Sequence, residues 1–189
     1  MALEIERRFL VAGDQWKPHC IWRAHLRQGY LSRPGDGLSV RVRISERLDG
    51  VEAVAAVAPA REAWLTLKAP PPPGSSPTAM DGALARQEFE YAIPPDDAEA
   101  LLALTDQQLI KSRFGLDLPG GDWVLDVFGG DNAPLVVAEV ELDDAADRPP
   151  VPAWCVRELT GRRELSNASL ASHPLQSWSP AERRELFGA

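Results

Sequence analysis

The feature that most constrains this chain is the alternation of apolar and polar residues along several short segments. Residues 40–44, for example, read Val-Arg-Val-Arg-Ile. This period of two is the period of a β-strand, in which successive side chains lie on opposite faces of the sheet. The alternation predicts a mainly β protein of the α+β class, whose strands each carry one apolar and one polar face.

The predicted strands are joined mostly by short connections that contain glycine or proline, which favour antiparallel pairing. They cover residues 2–11, 20–31, 38–44, 64–68, 86–93, 109–116, 123–128 and 135–142. The period changes in mid-chain at 94–104, where two prolines and two aspartates predict the start of a helix. Two short helices are predicted near the C-terminus, at 167–175 and 180–187.

The length of the chain, 189 residues, is that of one domain, and its 44% of hydrophobic residues can form a core without disulfides. Two insertions interrupt the strand pattern. Residues 48–63 are rich in alanine and valine and are predicted to extend a hairpin. Residues 69–83 are rich in proline, which cannot pair within a sheet, and are predicted to form an extended loop. We therefore predict a single domain over residues 1–189.

The overall charge and the cysteine content restrict the partners and the compartment. A net charge of -8 disfavours duplex nucleic acid and anionic membranes, because both select for a basic surface. No segment has the ~20 consecutive apolar residues of a membrane-spanning helix, and the acidic N-terminal segment does not resemble a signal peptide. Cys20 and Cys155 are too few for a disulfide framework. We predict a cytoplasmic protein without nucleic-acid or membrane partners.

The charges on the polar faces are grouped by sign. Residues i and i+2 of a strand lie on the same face, roughly 6.6 Å apart. At this spacing five segments carry like-charged pairs: Glu4 and Glu6, Arg41 and Arg43, Glu88 and Glu90, Lys111 and Arg113, and Glu139 and Glu141. A solvated face normally mixes signs, because like charges repel. One such pair is typical of an exposed strand, but five pairs, with Arg8 and Lys68 in addition, indicate a single converging site.

The chemistry of such a site follows from its two kinds of side chain. If the sheet closes into a barrel, the polar faces point inward. Carboxylates without cysteine or histidine are hard oxygen ligands that suit Mg²⁺ or Mn²⁺. Guanidinium and ammonium groups suit a multiply charged phosphate chain. A site with both predicts phosphoryl transfer, in which positioning and charge neutralisation supply most of the rate.

Other catalytic patterns are absent from the sequence. It contains no phosphate-binding P-loop, no GxSxG nucleophile motif and no GxGxxG dinucleotide motif. The three histidines, at positions 19, 25 and 173, have no partners at the spacing of a catalytic triad or a metal site. Asp126 falls on the same strand face as Val124 and Phe128. Two interpretations of Asp126 stay open, namely burial with a charged partner and catalysis.

The residues of this pattern also resemble a known family. The segment EIERR at 4–8 is similar to the ExExK signature of the CYTH superfamily, the triphosphate tunnel metalloenzymes, with Arg8 in place of the lysine. The resemblance continues in family order over about residues 1–170, through LRQGYL at 26–31, VRVRI at 40–44, LTLK at 65–68, RQEFE at 86–90, IKSR at 110–113, VLDVFG at 124–129 and AEVEL at 138–142. Arg162 and Glu164 depart from the family pattern, so no role is carried over to them.

The resemblance implies a fold and a set of site residues. The fold would be an eight-stranded antiparallel closed β-barrel, a tunnel open at both ends with peripheral helices, often in a homodimer. One metal ion would be held by Glu4, Glu6, Glu139 and Glu141, and Glu90 would help to hold a second, with Mg²⁺ or Mn²⁺ as the cofactor. The triphosphate would be bound by Arg8, Arg41, Arg43, Lys68, Lys111 and Arg113. Glu90 and Lys68 would be catalytic, and Glu88 and Asp126 are further candidates.

The resemblance also implies an activity, with the substrate left open. The leading hypothesis is divalent-metal-dependent hydrolysis of inorganic triphosphate, tripolyphosphate, to pyrophosphate and phosphate by a metal-activated water. The alternatives are a class IV type adenylate cyclase, in which a ribose hydroxyl attacks instead of water, and a thiamine or nucleoside triphosphatase. A polyphosphate-binding module without catalysis is disfavoured, because binding alone needs only the basic residues and not the three acidic pairs.

Overall fold

The computed structural model describes residues 2–33, 37–48, 60–70, 86–144 and 146–188, and of residues 2–4, 60 and 86 it describes the backbone alone. Within these ranges, ten strands form one antiparallel sheet: β1 Ala2–Glu4, β2 Glu6–Val11, β3 Cys20–Tyr30, β4 Ser39–Leu48, β5 Ala60–Ala69, β6 Arg86–Ala92, β7 Gln108–Leu116, β8 Asp122–Phe128, β9 Val136–Glu141 and β10 Cys155–Glu158. Three α-helices accompany it: α1 Pro95–Leu102, α2 Asn167–Ser172 and α3 Pro180–Phe187. The prediction of a mainly β fold is confirmed.

The strand order is β1-β6-β5-β4-β3-β7-β8-β9-β2-β10. β1 pairs with β6 at one edge of the sheet, and β2 pairs with β9 near the other. Only Ile5 separates β1 from β2, so the chain itself joins the two ends of the sheet. Among the described residues the hydrogen-bonded ladder still has two edges, so the predicted closed barrel is not confirmed. The sheet has ten strands rather than the expected eight because the N-terminal strand is split into β1 and β2 and because β10 is added at one edge.

The two insertions differ in how far the structure describes them. β4 and β5 pair in register from Ser39 and Lys68 to Arg47 and Ala60, so residues 60–63 of the first insertion belong to a hairpin. Residues 49–59 between these strands lie outside the described residues, as do residues 71–85 of the proline-rich insertion. The strand β10 was not predicted from the sequence.

The helix α1 covers the outer face of β4 and β5. Its start matches the sequence signals, because Pro95 occupies the first turn and Asp96 and Asp97 place negative charge at the positive end of the helix dipole. Ala98 and Leu102 of this helix pack on a cluster that includes Val42 and Ile44 of β4, and all of these side chains are buried. A separate apolar cluster on the outer face of β2, β8 and β9 includes Phe9, Trp16, Trp123, Leu125, Val140 and Trp154.

The polar face of the sheet becomes apolar at one end. Leu10 follows Arg8 on the same face of β2, and Val137 precedes Glu139 on β9. These residues form a buried cluster with Leu159, Leu165, Leu170 and Leu175 of the segment 159–175, which we call the C-terminal segment. The resemblance implied a tunnel open at both ends, whereas in this chain the C-terminal segment covers the apolar end of the polar face.

The ends of the C-terminal helices are capped by side chains. Ser166 precedes α2 and accepts a hydrogen bond from the backbone N–H of Ser169 at 3.2 Å. Ser179 and Glu182 form a reciprocal capping box at the start of α3. Both helices begin where the sequence predicted them. None of the helices in the described part of the chain is long and apolar enough to cross a membrane.

Candidate functional site

A cavity of about 320 Å³ lies on the polar face of the sheet. Most of the side chains predicted to form the site line this one cavity: Glu6, Arg8, Arg41, Arg43, Lys68, Glu88, Glu90, Arg113, Glu139 and Glu141. The side chain of Glu4 lies outside the described residues, and Lys111 and Asp126 lie behind the cavity wall. The strand alternation therefore brings three complete like-charged pairs, and one member of each of the other two, to a common site.

The register of the strands places opposite charges beside each other in most of the site. Arg8 on β2 faces Glu139 on β9, and Lys68 on β5 faces Glu88 on β6. Neighbouring strands therefore supply most of the counter-charge that the like-charged pairs need in the absence of a ligand.

One half of the cavity is built around Glu90. Arg43 donates to both carboxylate oxygens of Glu90 at 3.2 Å, and Arg41 donates to its Oε2 at 3.2 Å. The buried Thr66 hydroxyl donates to the same oxygen at 2.7 Å. Arg43 also lies over the ring of Trp64, 5.0 Å from its centroid. Two guanidinium groups are thus held side by side by one carboxylate.

The guanidinium groups of Arg41 and Arg43 each have a hydrogen-bond donor that no described residue accepts. Among the described residues, the Nε atoms of Arg41 and Arg43 are buried and have no hydrogen-bond partner. Burial, and next the charge of Arg41, lower the pKa of Arg43 to about 10. Buried donors without partners are costly, and two adjacent cations repel. An anion in the cavity would relieve both effects.

Burial shifts the pKa of the partner carboxylate, Glu90, in the opposite direction to that of Arg43. Burial alone raises the pKa of Glu90, but Arg43, Thr66 and Arg41 together hold it below its ordinary value. Glu90 is therefore a carboxylate at neutral pH and can only accept hydrogen bonds or ligate a cation.

The other half of the cavity is built around Glu139, which is only 8% exposed. Arg8 donates through Nε to Glu139 Oε1 at 3.0 Å, and Arg113 donates to Glu139 Oε2 at 2.8 Å. The terminal nitrogens of Arg8 also donate to the backbone carbonyl of Leu165 at 3.2 Å. Glu139 therefore holds a second pair of guanidinium groups at the cavity.

Asp126 lies behind this half of the cavity and is fully buried. Arg113 binds it in a bidentate manner, with distances of 2.8 Å from Nε to Oδ1 and 2.7 Å from Nη2 to Oδ2. Lys111 donates to Oδ2 at 2.6 Å. Of the two interpretations that the sequence left open, the structure shows burial with charged partners.

Lys111 was predicted to bind triphosphate, and the structure places it elsewhere. Its side chain is only 2% exposed, and it is not among the residues that line the cavity. Its ammonium group donates to Asp126 and, at 3.2 Å, to Asn167 Oδ1 in the C-terminal segment. Burial lowers the pKa of Lys111 to about 8. Lys111 lies one hydrogen bond behind the cavity wall.

The carboxylates of the cavity are the candidate metal ligands. Glu6 and Glu141 lie directly opposite each other on β2 and β9, and Glu139 follows on the same face. Like charges in this position are unfavourable unless a cation lies between them, and carboxylate oxygens suit Mg²⁺ or Mn²⁺. Among the described side chains no three such groups are arranged as a metal site, and Glu139 is turned to Arg8 and Arg113. The oxygen ligands that these carboxylates offer nevertheless fit a divalent cation.

The sequence analysis missed several residues of the cavity wall. These are Tyr30, Ser39, Arg162, Arg163, Ser166, Asn167 and Ala168. Tyr30 lies in the segment LRQGYL that resembles the family, and it faces Arg41 in the register of β3 against β4. Its buried hydroxyl accepts a hydrogen bond from Gln28 at 2.9 Å. Ser39 is the first residue of β4 and lies on the same face as Arg41. The other five come from the C-terminal segment, where no strand alternation marks a polar face.

The paired carboxylates predict how stability depends on pH. Burial raises the pKa of Asp126, but Arg113 and Lys111 outweigh it and hold that pKa well below its ordinary value. A carboxylate with a lower pKa in the folded state stabilises the fold above its unfolded pKa, and this contribution is lost as the pH falls through the folded pKa. We expect the free energy of unfolding, measured with urea, to decrease progressively below about pH 4. An Asp126→Asn variant should show a weaker decrease, and an equal slope in both proteins would contradict this assignment.

Comparison with known proteins agrees with this geometry. The model of the CYTH domain family matches residues 2–173. An inorganic triphosphatase of Acetivibrio thermocellus is 32% identical over 180 residues, which cover 94% of this chain and 99% of the relative. One of Nitrosomonas europaea is 34% identical over 173 residues, which cover 89% and 96%.

Solved structures give the same result. The crystal structure of an inorganic triphosphatase has a TM-score of 0.57 and 32% sequence identity, covering 90% of this chain and 95% of that chain. The family match spans the strands that carry the cavity together with the start of the C-terminal segment. The chain therefore belongs to the CYTH domain family.

Proposed function

We propose that this protein hydrolyses inorganic tripolyphosphate to pyrophosphate and phosphate, with divalent cations and water. The observation that supports this most directly is the cavity in which guanidinium groups lie beside carboxylates, two of them with buried Nε atoms that have no partner among the described residues. Such a cavity suits a ligand with several negative charges and associated cations. The similarity to proteins named inorganic triphosphatases favours tripolyphosphate as that ligand.

The basic residues would contact the phosphate oxygens. Arg41 and Arg43 are the first candidates, because their Nε atoms are buried without a protein partner among the described residues. Arg8 and Arg113 line the opposite half of the cavity. Lys68 lies 3.3 Å from Glu88 and lines the same space. These five cations line two halves of one cavity, so they suit a chain of phosphates better than a single phosphate.

The acidic residues would hold the cations. We propose Glu6, Glu139 and Glu141, with Glu4, for one Mg²⁺ or Mn²⁺ ion, and Glu90 for a second. The bound ions would neutralise charge on the phosphate chain and lower the pKa of a bound water. Lys68 and Glu90 remain the proposed catalytic residues, since both line the cavity and Glu90 is ionised at neutral pH. Glu88 would orient Lys68 and Arg41, which lie 3.3 Å and 3.6 Å from its carboxylate.

Cation and triphosphate binding should reinforce each other. In the ligand-free protein, Glu139 binds Arg8 and Arg113, and Glu90 binds Arg41 and Arg43. The arginines must weaken these contacts to reach phosphate, and the carboxylates must weaken them to reach a cation. Because both ligands require the same change, we expect each to raise the affinity for the other.

We also propose that the sheet forms a closed tunnel. This proposal is supported by Ile5, which alone separates β1 on one edge of the sheet from β2 near the other edge. Closure would place the charged face on the inside, around the cavity. The single domain over 1–189, the homodimer and the cytoplasmic location stay predictions.

The proposal is tested with purified protein and Mg²⁺ or Mn²⁺, offered tripolyphosphate, ATP or thiamine triphosphate. We expect the highest kcat/KM for tripolyphosphate, equal amounts of phosphate and pyrophosphate, and no cyclic AMP. Cyclic AMP formed from ATP would identify a cyclase instead. Tight binding of tripolyphosphate without turnover would identify a binding module.

A further inference from the structure

Asn167, the first residue of α2, lines the cavity. Its amide oxygen Oδ1 accepts a hydrogen bond from Lys111 at 3.2 Å. Among the described residues, its amide nitrogen Nδ2 has no protein partner. The side chain of Asn167 is thus held at the cavity wall through its acceptor Oδ1, while its donor Nδ2 is available to a ligand in the cavity.

The orientation of this amide is fixed by chemistry. An ammonium group can only donate hydrogen bonds, so Lys111 must face the oxygen of Asn167 and not the nitrogen. Lys111 is itself held by the buried Asp126, 2.6 Å from its ammonium nitrogen, and lies over the ring of Phe128. The chain of contacts from Asp126 through Lys111 therefore turns the N–H groups of Asn167 away from the protein interior.

A donor in this position suits a phosphate oxygen. Ser166 and Ala168, the neighbours of Asn167, line the same cavity, and Arg8 anchors this turn by its two hydrogen bonds to the Leu165 carbonyl. Since the proposed ligand is acceptor-only along its length, an amide N–H would add to the contacts that the arginines make.

We infer that Asn167 is a further substrate-binding residue, which donates from Nδ2 to a phosphate oxygen of the triphosphate. Lys111 and Asp126 are positioning residues that hold its amide in the donating orientation. In this assignment, which rests on the proposed function, Lys111 acts through Asn167 rather than by direct contact with phosphate.

The sharpest test is Asn167→Asp, which keeps the shape of the side chain and the contact with Lys111 but replaces the donor by an acceptor. The affinity for tripolyphosphate is measured by calorimetry with Ca²⁺ as the divalent ion. We expect a loss of at least about tenfold in Asn167→Asp and about tenfold in Asn167→Ala, the scale of a hydrogen bond to a charged group. In Asn167→Ala the Ca²⁺ affinity without phosphate should change less than twofold, roughly the scatter of a surface substitution.

Ser172→Asp is the matched control, because it adds the same charge to α2 at a residue that does not line the cavity. It should bind tripolyphosphate as the unaltered protein does. Tripolyphosphate affinity that is unchanged in Asn167→Asp, or that falls equally in Asn167→Asp and Ser172→Asp, would overturn the inference. Failure of the unaltered protein to bind tripolyphosphate would instead overturn the proposed function.

A double-mutant cycle tests the role of Lys111. We expect Lys111→Met to weaken tripolyphosphate binding in the unaltered protein but to cause little further loss in an Asn167→Ala background, because the two residues act in series. Additive losses would show direct contact between Lys111 and phosphate and would overturn its assignment as a positioning residue. Asn167→Asp and Asn167→Ala keep the buried pair of Lys111 and Asp126, so they test the donor role even if Lys111→Met does not fold.

Discussion

Glu141→Gln is expected to abolish the hydrolysis of tripolyphosphate while leaving the fold intact. The substitution removes one negative charge from the proposed ligands and hardly changes the shape of the side chain. Glu141 is exposed and lies opposite Glu6 in the sheet, so its replacement is expected to perturb the fold less than that of a buried carboxylate. We expect a loss in turnover of more than about 100-fold, the upper range for residues that only support metal ligands. Phosphate release is measured at saturating Mg²⁺ or Mn²⁺, with thermal unfolding as the check of folding.

Glu139→Gln should also abolish turnover, but it should lower stability as well. Glu139 is buried and holds both Arg8 and Arg113, which would keep their charges with less compensation. The matched control is Glu99→Gln. Glu99 lies on α1, outside the cavity, and its carboxylate forms an ion pair with Arg27 of β3. An unaltered metal-dependent rate in Glu141→Gln would remove that residue from the proposed ligands.

Arg43→Ala and Arg41→Ala are expected to weaken tripolyphosphate binding by about 1.5 to 3 kcal/mol each, the scale of a hydrogen bond to a charged group. Both guanidinium groups carry a buried Nε without a partner among the described residues, so the ligand would supply contacts that the protein does not. The affinity is measured by calorimetry with Ca²⁺, and the affinity for the cation alone should change little.

Arg61→Ala is the matched control for these two variants. Arg61 lies on β5 and pairs with Glu46 and Glu99, and it does not line the cavity. Its replacement should leave tripolyphosphate binding unchanged. Equal losses of tripolyphosphate and cation affinity in Arg43→Ala would indicate collapse of the cavity around Glu90 rather than loss of a phosphate contact.

The strands and the charged face could be predicted because both depend on spacing within one segment. The alternation at 40–44 alone defines a strand and places Arg41 and Arg43 on one face. The like-charged pairs then identify the polar faces, and ten of the predicted side chains do line one cavity. Local sequence patterns were sufficient for these features.

The pairing of charges between strands could not be predicted in the same way. The contact between Arg8 and Glu139 joins residues 131 positions apart, and it depends on the register of β2 against β9. Spacing within a strand also does not show which of two like charges faces the cavity. Lys111 and Arg113 share one face of β7, yet only Arg113 lines the cavity, because Asp126 and Asn167 hold Lys111 behind it.

The part of the cavity wall that the C-terminal segment forms was missed for a different reason. The residues 162–168 form a 3-10 turn and the start of a short helix, which have no period that separates a cavity face from a buried face. Their position is set by the burial of Leu165 and Leu170 in the apolar cluster and by the hydrogen bonds from Arg8 and Lys111. These contacts appear only once the sheet is assembled.

The central claim, that the charged cavity is a triphosphate site, is tested most directly by thermal unfolding with phosphates of different chain length. A ligand that binds only the folded state stabilises it by about 2.7 kcal/mol at a hundredfold excess over Kd. With Ca²⁺ present, tripolyphosphate should raise the unfolding temperature clearly more than orthophosphate, which cannot span the arginines of both halves of the cavity. Equal shifts from tripolyphosphate and orthophosphate at matched ionic strength would show a general anion effect and would contradict the proposed site.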